Sequence, residues 1–223
     1  MPATALVLAL CADVADLRSR PERADAFLAR LPAVLGAAAG RGLLRPFAAV
    51  RGGEIEGALS PSSDPFRPIV AAALEPGSPA LRWAVVADER ESAKTRAAAE
   101  LTLLRARGER MVVITGDPGA DALLADLAPL LGALVADMTP RQRDIARRIL
   151  VEGRRQAAVA AELGVSRATI SVAVARGRLR DLDRAIHGLH GIVLAGIAAR
   201  DRPERGPESR PGAARPPSIS VSV

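Results

Sequence analysis

Residues 138–180 read MTPRQRDIARRILVEGRRQAAVAAELGVSRATISVAVARGRLR, and their spacing decides the C-terminal fold. Thr139 is a natural helix N-cap, with Pro140 at the first helical position and Gln142 three residues on, the pattern of a capping box. Ile145, Ile149 and Leu150 supply an apolar stripe, and Gly153 ends that helix. A second helix, Arg155–Leu163, carries Val159, Ala160 and Leu163 and turns at Gly164-Val165. Ser166 caps a third helix whose Ile170 and Val174 face inward. Ala160 is small where two helices must approach closely. Gly164, four residues later, can take the left-handed conformation that a tight turn demands. Val165 and Ile170 fill the angle between the helices, which is the logic of a helix-turn-helix.

With those residues inside, Ser166, Arg167, Ala168, Thr169, Ser171 and Val172 fall on the outer face of the third helix, the face that enters a major groove. Arg154, Arg155, Gln156, Arg176 and Arg178 flank it as candidate phosphate contacts. Arg167 suits a guanine edge or a phosphate equally, and the sequence leaves both open. A helical hairpin that docks a protein partner is the competing reading of the same spacing.

The charge supports double-stranded DNA as the partner. The 223-residue chain has a net charge of +6, with 30 arginines and one lysine, Lys94. Residues 1–138 are net −2, residues 139–200 net +7, and residues 201–223 net +1. The excess therefore belongs to one segment attached to a near-neutral body, as expected of a polyanion-binding module. Aromatics are only 2% of the chain, which argues against stacking of single strands or RNA bases on rings. One cysteine, Cys11, excludes an internal disulfide and a cysteine-rich zinc site. The apolar start Met1–Ala12 lacks a basic flank, runs into Asp13, and falls short of the ~20 residues of a spanning helix. A cytoplasmic protein with no membrane partner is the expectation.

Upstream, apolar runs of strand length alternate with helical periodicity. Strands are expected at Ala5–Ala12, Arg45–Arg51, Glu54–Leu59, Leu81–Ala87 and Met111–Thr115. Helices are expected at Arg20–Ala39, Pro65–Leu74, Ser92–Arg107 and over 119–136. The first six elements make a split βαβ, or ferredoxin-like, unit within an α/β (α+β) chain. The domains expected are 1–137 (ferredoxin-like, with the plan of a nucleotidyl cyclase palm), 138–200 (all-α helix-turn-helix) and 201–223 (a disordered Pro/Arg/Ser-rich tail).

That topology puts the end of the first strand beside the Gly52-Gly53 hairpin, so Asp13 and Glu54 should be neighbours. Two carboxylates on one rim can hold Mg²⁺ against a triphosphate, as class III and GGDEF-type cyclases do, and "LCADVADL" and "VRGGEIEGAL" resemble the corresponding stretches. The hairpin has no aspartate and no transition-state Arg/Asn pair is recognisable, so no catalytic residue, metal or cofactor is assigned; Asp13 and Glu54 are the residues a metal would use. A Mg²⁺-dependent nucleotide-binding or degenerate cyclase-like protein is the alternative to a non-enzymatic regulator.

The segment 139–180 resembles the region-4 helix-turn-helix of bacterial sigma factors, through TPRQRDIARRIL, VAAELGVSRATIS and the trailing Arg176–Arg180. Residues 1–190 as a whole resemble the SatD family. Its strand-one motif corresponds to Ala12-Asp13-Val14-Ala15 and Arg18-Ser19-Arg20, its hairpin to Gly52-Gly53-Glu54-Ile55-Glu56-Gly57, and its T-x-x-Q to Thr139-Pro140-Arg141-Gln142. The resemblance implies a bacterial, cytoplasmic DNA-binding regulator of transcription. Residues 1–137 would then serve dimerisation or the sensing of a small-molecule effector, and a homodimer would span two half-sites.

Overall fold

Leu6–Val14 (β1) is apolar on both faces because it lies at the centre of a sheet covered on both sides. The computed structural model describes residues 5–15, 21–50 and 53–200. β1 pairs antiparallel with Glu54–Leu59 (β3) on one side and Leu81–Glu89 (β4) on the other. Leu43–Val50 (β2) closes the hairpin with β3, and Met111–Ile114 (β5) adds parallel to β4. The order β2-β3-β1-β4-β5 is the expected ferredoxin-like sheet with one strand added at the edge.

Strand alternation sorts the two faces. Leu8, Leu10, Ala12 and Val14 pack with Pro21–Ala39 (α1) and Phe66–Leu74 (α2), through Phe27, Leu31, Leu35, Phe66 and Ile69. Val7, Ala9 and Cys11 pack instead on Arg90–Arg107 (α3), against Ala93, Ala97, Leu101 and Leu104. Asp13 continues the second series, which turns its carboxylate toward α3.

The apolar run over 119–136, expected as one helix, is two: Pro118–Leu127 (α4) and Pro129–Ala136 (α5). Pro129 has no N–H to donate backward and its ring crowds the preceding turn, so the first helix stops there. Asp117 caps α4 by accepting from the Ala120 N–H at 2.8 Å.

The helical segment then runs through Pro140–Ala146 (α6), prolonged by a wide turn Arg147–Val151, then Gln156–Glu162 (α7), Arg167–Arg176 (α8) and Leu179–Arg200 (α9). α9 packs against α4, α5 and α2. Ile145, Ile170, Leu182 and Val193 join the same apolar cluster as Leu8 and Phe66, so the core runs without a break from the sheet into the helices. The expected tail 201–223, the Arg18-Ser19-Arg20 motif and Gly52 lie outside the described residues.

Candidate nucleic-acid interface

The capping box at the start of α6 is complete. Thr139 Oγ1 accepts from the Gln142 N–H at 3.3 Å, and Gln142 Oε1 accepts from the Thr139 N–H at 2.7 Å. Downstream, α7 and α8 are bent by 113° across residues 163–166, within the helix-turn-helix range. Gly164 makes this turn in the left-handed region, φ +63°. Its neighbour Val165 donates to the Ala160 carbonyl at 3.0 Å, closing α7. Ser166 Oγ accepts from the Thr169 N–H at 3.1 Å and opens α8. Val159 and Ile170 are fully buried in the angle.

All six expected groove-facing residues, Ser166, Arg167, Ala168, Thr169, Ser171 and Val172, are exposed on α8. Val172 stands out, a β-branched apolar side chain 50% exposed and suited to a thymine methyl. Arg154, Arg155 and Gln156 at the start of α7, Arg167 and Ser171 on α8, and Arg180 at the start of α9 line one open cleft.

Ion pairing within the segment divides its arginines into two sets. Arg147 donates to Asp144 at 3.2 Å and to Glu152. Arg148 bridges Asp144 at 3.0 Å and Glu162 at 2.7 Å, and Arg154 holds the second oxygen of Glu162 at 2.7 Å. Three carboxylates are thereby engaged behind the turn. Arg155, Arg167, Arg176 and Arg180 have no carboxylate partner among the described residues, so the uncompensated charge gathers around α8. Arg178, expected as a phosphate contact, has a left-handed backbone (φ 51°) and donates to Asp181 at 3.1 Å. Arg180 occupies the cleft instead. Arg180 was not among the expected contacts; the turn at Gly177-Arg178 places it at the start of α9, where it lines the cleft.

Asp13 and Glu54 are indeed neighbours, but an arginine lies between them. Arg105 Nε donates to Asp13 Oδ2 at 2.6 Å, and its terminal nitrogen donates to Glu54. Arg82 holds the other Asp13 oxygen at 2.9 Å. Burial would lower the Arg105 pKa; the hydrogen bonds it donates to Glu54 and Asp13 outweigh it and raise it. Glu56 is taken by Lys94 at 2.8 Å. Among the described residues no three His, Cys, Asp or Glu side chains converge on a point. Cys11 lies beneath this cluster; burial, then the charges of Glu56 and Glu54, push its thiol up to about 12, so it stays protonated and inert at neutral pH.

The family model described as the TrfB plasmid transcriptional repressor, KorA, matches residues 132–181, which is less than a quarter of the chain. No curated protein and no solved structure gives a significant match. The match spans the end of α5 and the whole helix-turn-helix, and it supports a DNA-binding regulator of transcription. It covers Thr139–Gln142 but does not reach the strand-one and hairpin segments, the other two motifs on which the likeness to the SatD family rests.

Proposed function

We propose that this chain is a non-enzymatic, sequence-specific regulator that reads duplex DNA with α8, in the manner of a sigma region-4-like helix-turn-helix. The observation that carries the reading is the division of arginines. Asp144, Glu152 and Glu162 hold Arg147, Arg148 and Arg154 as scaffold, while Arg155, Arg167 and Arg180 face solvent around the recognition helix without a carboxylate partner among the described residues. Arg167, Ser171 and Val172 read base edges; Arg155, Gln156, Arg176 and Arg180 hold phosphates.

One such module makes few contacts, so the protein acts in the cytoplasm as a homodimer on half-sites about one helical turn apart. Residues 1–137 then serve dimerisation or ligand sensing. Leu123, Leu127 and Leu130, all exposed on α4 and α5, support a second copy as their cover. Sedimentation equilibrium tests this: a monomer in both wild type and Leu123→Glu removes the dimer. For DNA, retardation of fragmented genomic DNA should fall steeply with salt and disappear in Arg167→Ala plus Gln156→Ala. Binding unchanged in that pair would overturn the assignment of α8.

A further inference from the structure

Ile69 on α2, Trp83 on β4, Met111 on β5 and Gly132 on α5 line an apolar cleft of about 570 Å³, with Arg110 and Arg143 among its walls. Its volume is that of a small-molecule site, which typically spans about 300–1,000 Å³. It lies where the end of the sheet meets the helix that precedes the helix-turn-helix, since Arg143 belongs to α6.

Arg143 is the informative residue. Of the half-buried arginines, Arg82, Arg105, Arg147, Arg148 and Arg200 each hold at least one carboxylate. Arg143 is equally half-buried yet has no carboxylate partner among the described residues. It donates only to the backbone carbonyls of Val135 at 3.2 Å and Ala136 at 3.1 Å. A guanidinium carries five N–H donors, so beyond these two bonds Arg143 keeps donors for solvent or a ligand. Arg110, exposed at the same cleft, adds a second guanidinium with no carboxylate partner among the described residues. An apolar cavity with two uncompensated arginines selects an amphipathic anion: a hydrocarbon or aromatic body for the walls and a carboxylate for the guanidinium groups.

We infer that this cleft binds a small amphipathic carboxylate, its apolar body against Ile69, Trp83 and Met111 and its head group on Arg143 and Arg110. The inference rests on the sensing role proposed above for residues 1–137, but its test reads ligand binding with no DNA present, so the two can fail separately.

Trp83 is the only tryptophan in the chain and forms part of the cleft wall, so its emission reports occupancy. The full chain is titrated with decanoate and, in parallel, with decanol, both below their aggregation limits. Decanoate should shift Trp83 emission saturably, and decanol should bind at least about tenfold more weakly. Arg110→Gln plus Arg143→Gln should remove that preference. If this variant does not fold, Gly132→Leu serves instead: Gly132 lines the cleft and a Cβ there meets nothing within 4 Å, so the added side chain takes up cleft space and should weaken binding. Equal titration by decanoate and decanol, no saturable change, or decanoate binding unaltered by Gly132→Leu would each overturn the inference.

Discussion

Arg148 donates to Glu162 at 2.7 Å, tying the end of the helix before the helix-turn-helix to the end of the motif's first helix. Arg154 reaches the other oxygen of the same carboxylate, so one acid anchors two arginines from opposite sides of the Gly153 turn. The arrangement fixes the relative positions of α6 and α7 and removes an acid from the field around α8. Net charge alone did not distinguish arginines that build the module from arginines that face a partner; the pairing does.

Salt dependence of DNA binding should separate these two sets. Arg180→Ala should reduce the slope of log K against log salt by about one, the signature of one lost phosphate contact. Arg178→Ala should leave the slope unchanged, because Asp181 already compensates that guanidinium. Fluorescence anisotropy on a labelled duplex across a salt series checks both. Equal slopes for the two variants would show that the cleft is not the phosphate track.

What was legible in the sequence was local. Thr139 and Gln142 are three residues apart, and Gly164 and Ser166 two apart; their roles follow from backbone geometry that the residues carry with them. The strand order was also readable, since short connections and alternating apolar runs leave few topologies. What was not legible depends on distant residues meeting: Arg105 reaches Asp13 across 92 positions, and Arg200 reaches Asp88 across 112. Arg105, which bridges Asp13 and Glu54, could not be read at that rim for this reason. No spacing rule announces that a helix residue will arrive between two carboxylates on strands.

Arg105 can be tested as the group that neutralises this rim. Arg105→Met leaves Glu54 without its partner and Asp13 with Arg82 alone, and should cost about 2 kcal/mol. That is below the usual figure for a buried pair, because the Arg105 side chain is about one-third exposed. Urea denaturation measures it. Calorimetry of the wild type with Mg²⁺ and ATP or GTP should give no heat; a heat lost in Asp13→Ala would instead favour the nucleotide-binding reading.

Two glycines on α9 make opposite predictions. A Cβ on Gly196 would stand 2.3 Å from Thr115 Oγ1 and 2.7 Å from Ala120 Cβ, so Gly196→Ala forces α9 away from the β5–α4 junction and should cost about 1–3 kcal/mol. A Cβ on Gly188 meets nothing within 4 Å, and Gly188→Ala should stabilise by up to about 1 kcal/mol through helix propensity. Thermal melts should move in opposite directions. Equal shifts of the same sign would mean α9 does not approach Thr115 as closely as described.

Arg200, the last residue of α9, donates to the Ala87 carbonyl at 2.8 Å and to Asp88 Oδ1 at 3.0 Å, while Arg96 holds the other Asp88 oxygen. Burial would raise the Asp88 pKa, but hydrogen bonds from Arg96, Arg200 and the Glu89 N–H outweigh it and lower the carboxyl from 3.8 to about 2. A carboxyl depressed on folding stabilises the native state above its unfolded value and loses that contribution as pH falls through its folded one. The Asp88 contribution should therefore be complete above about pH 4–5 and fade between pH 4 and 2. The depression corresponds to about 2 kcal/mol at most, trimmed toward about 1 by solvent around the half-exposed Arg96 side chain. Asp88→Asn keeps the size and removes the charge. Its stability deficit, read from urea midpoints, should be about 1–2 kcal/mol at pH 7 and shrink toward zero near pH 2. A deficit that stays constant across that range would mean that shape and not charge binds the end of α9 to the sheet.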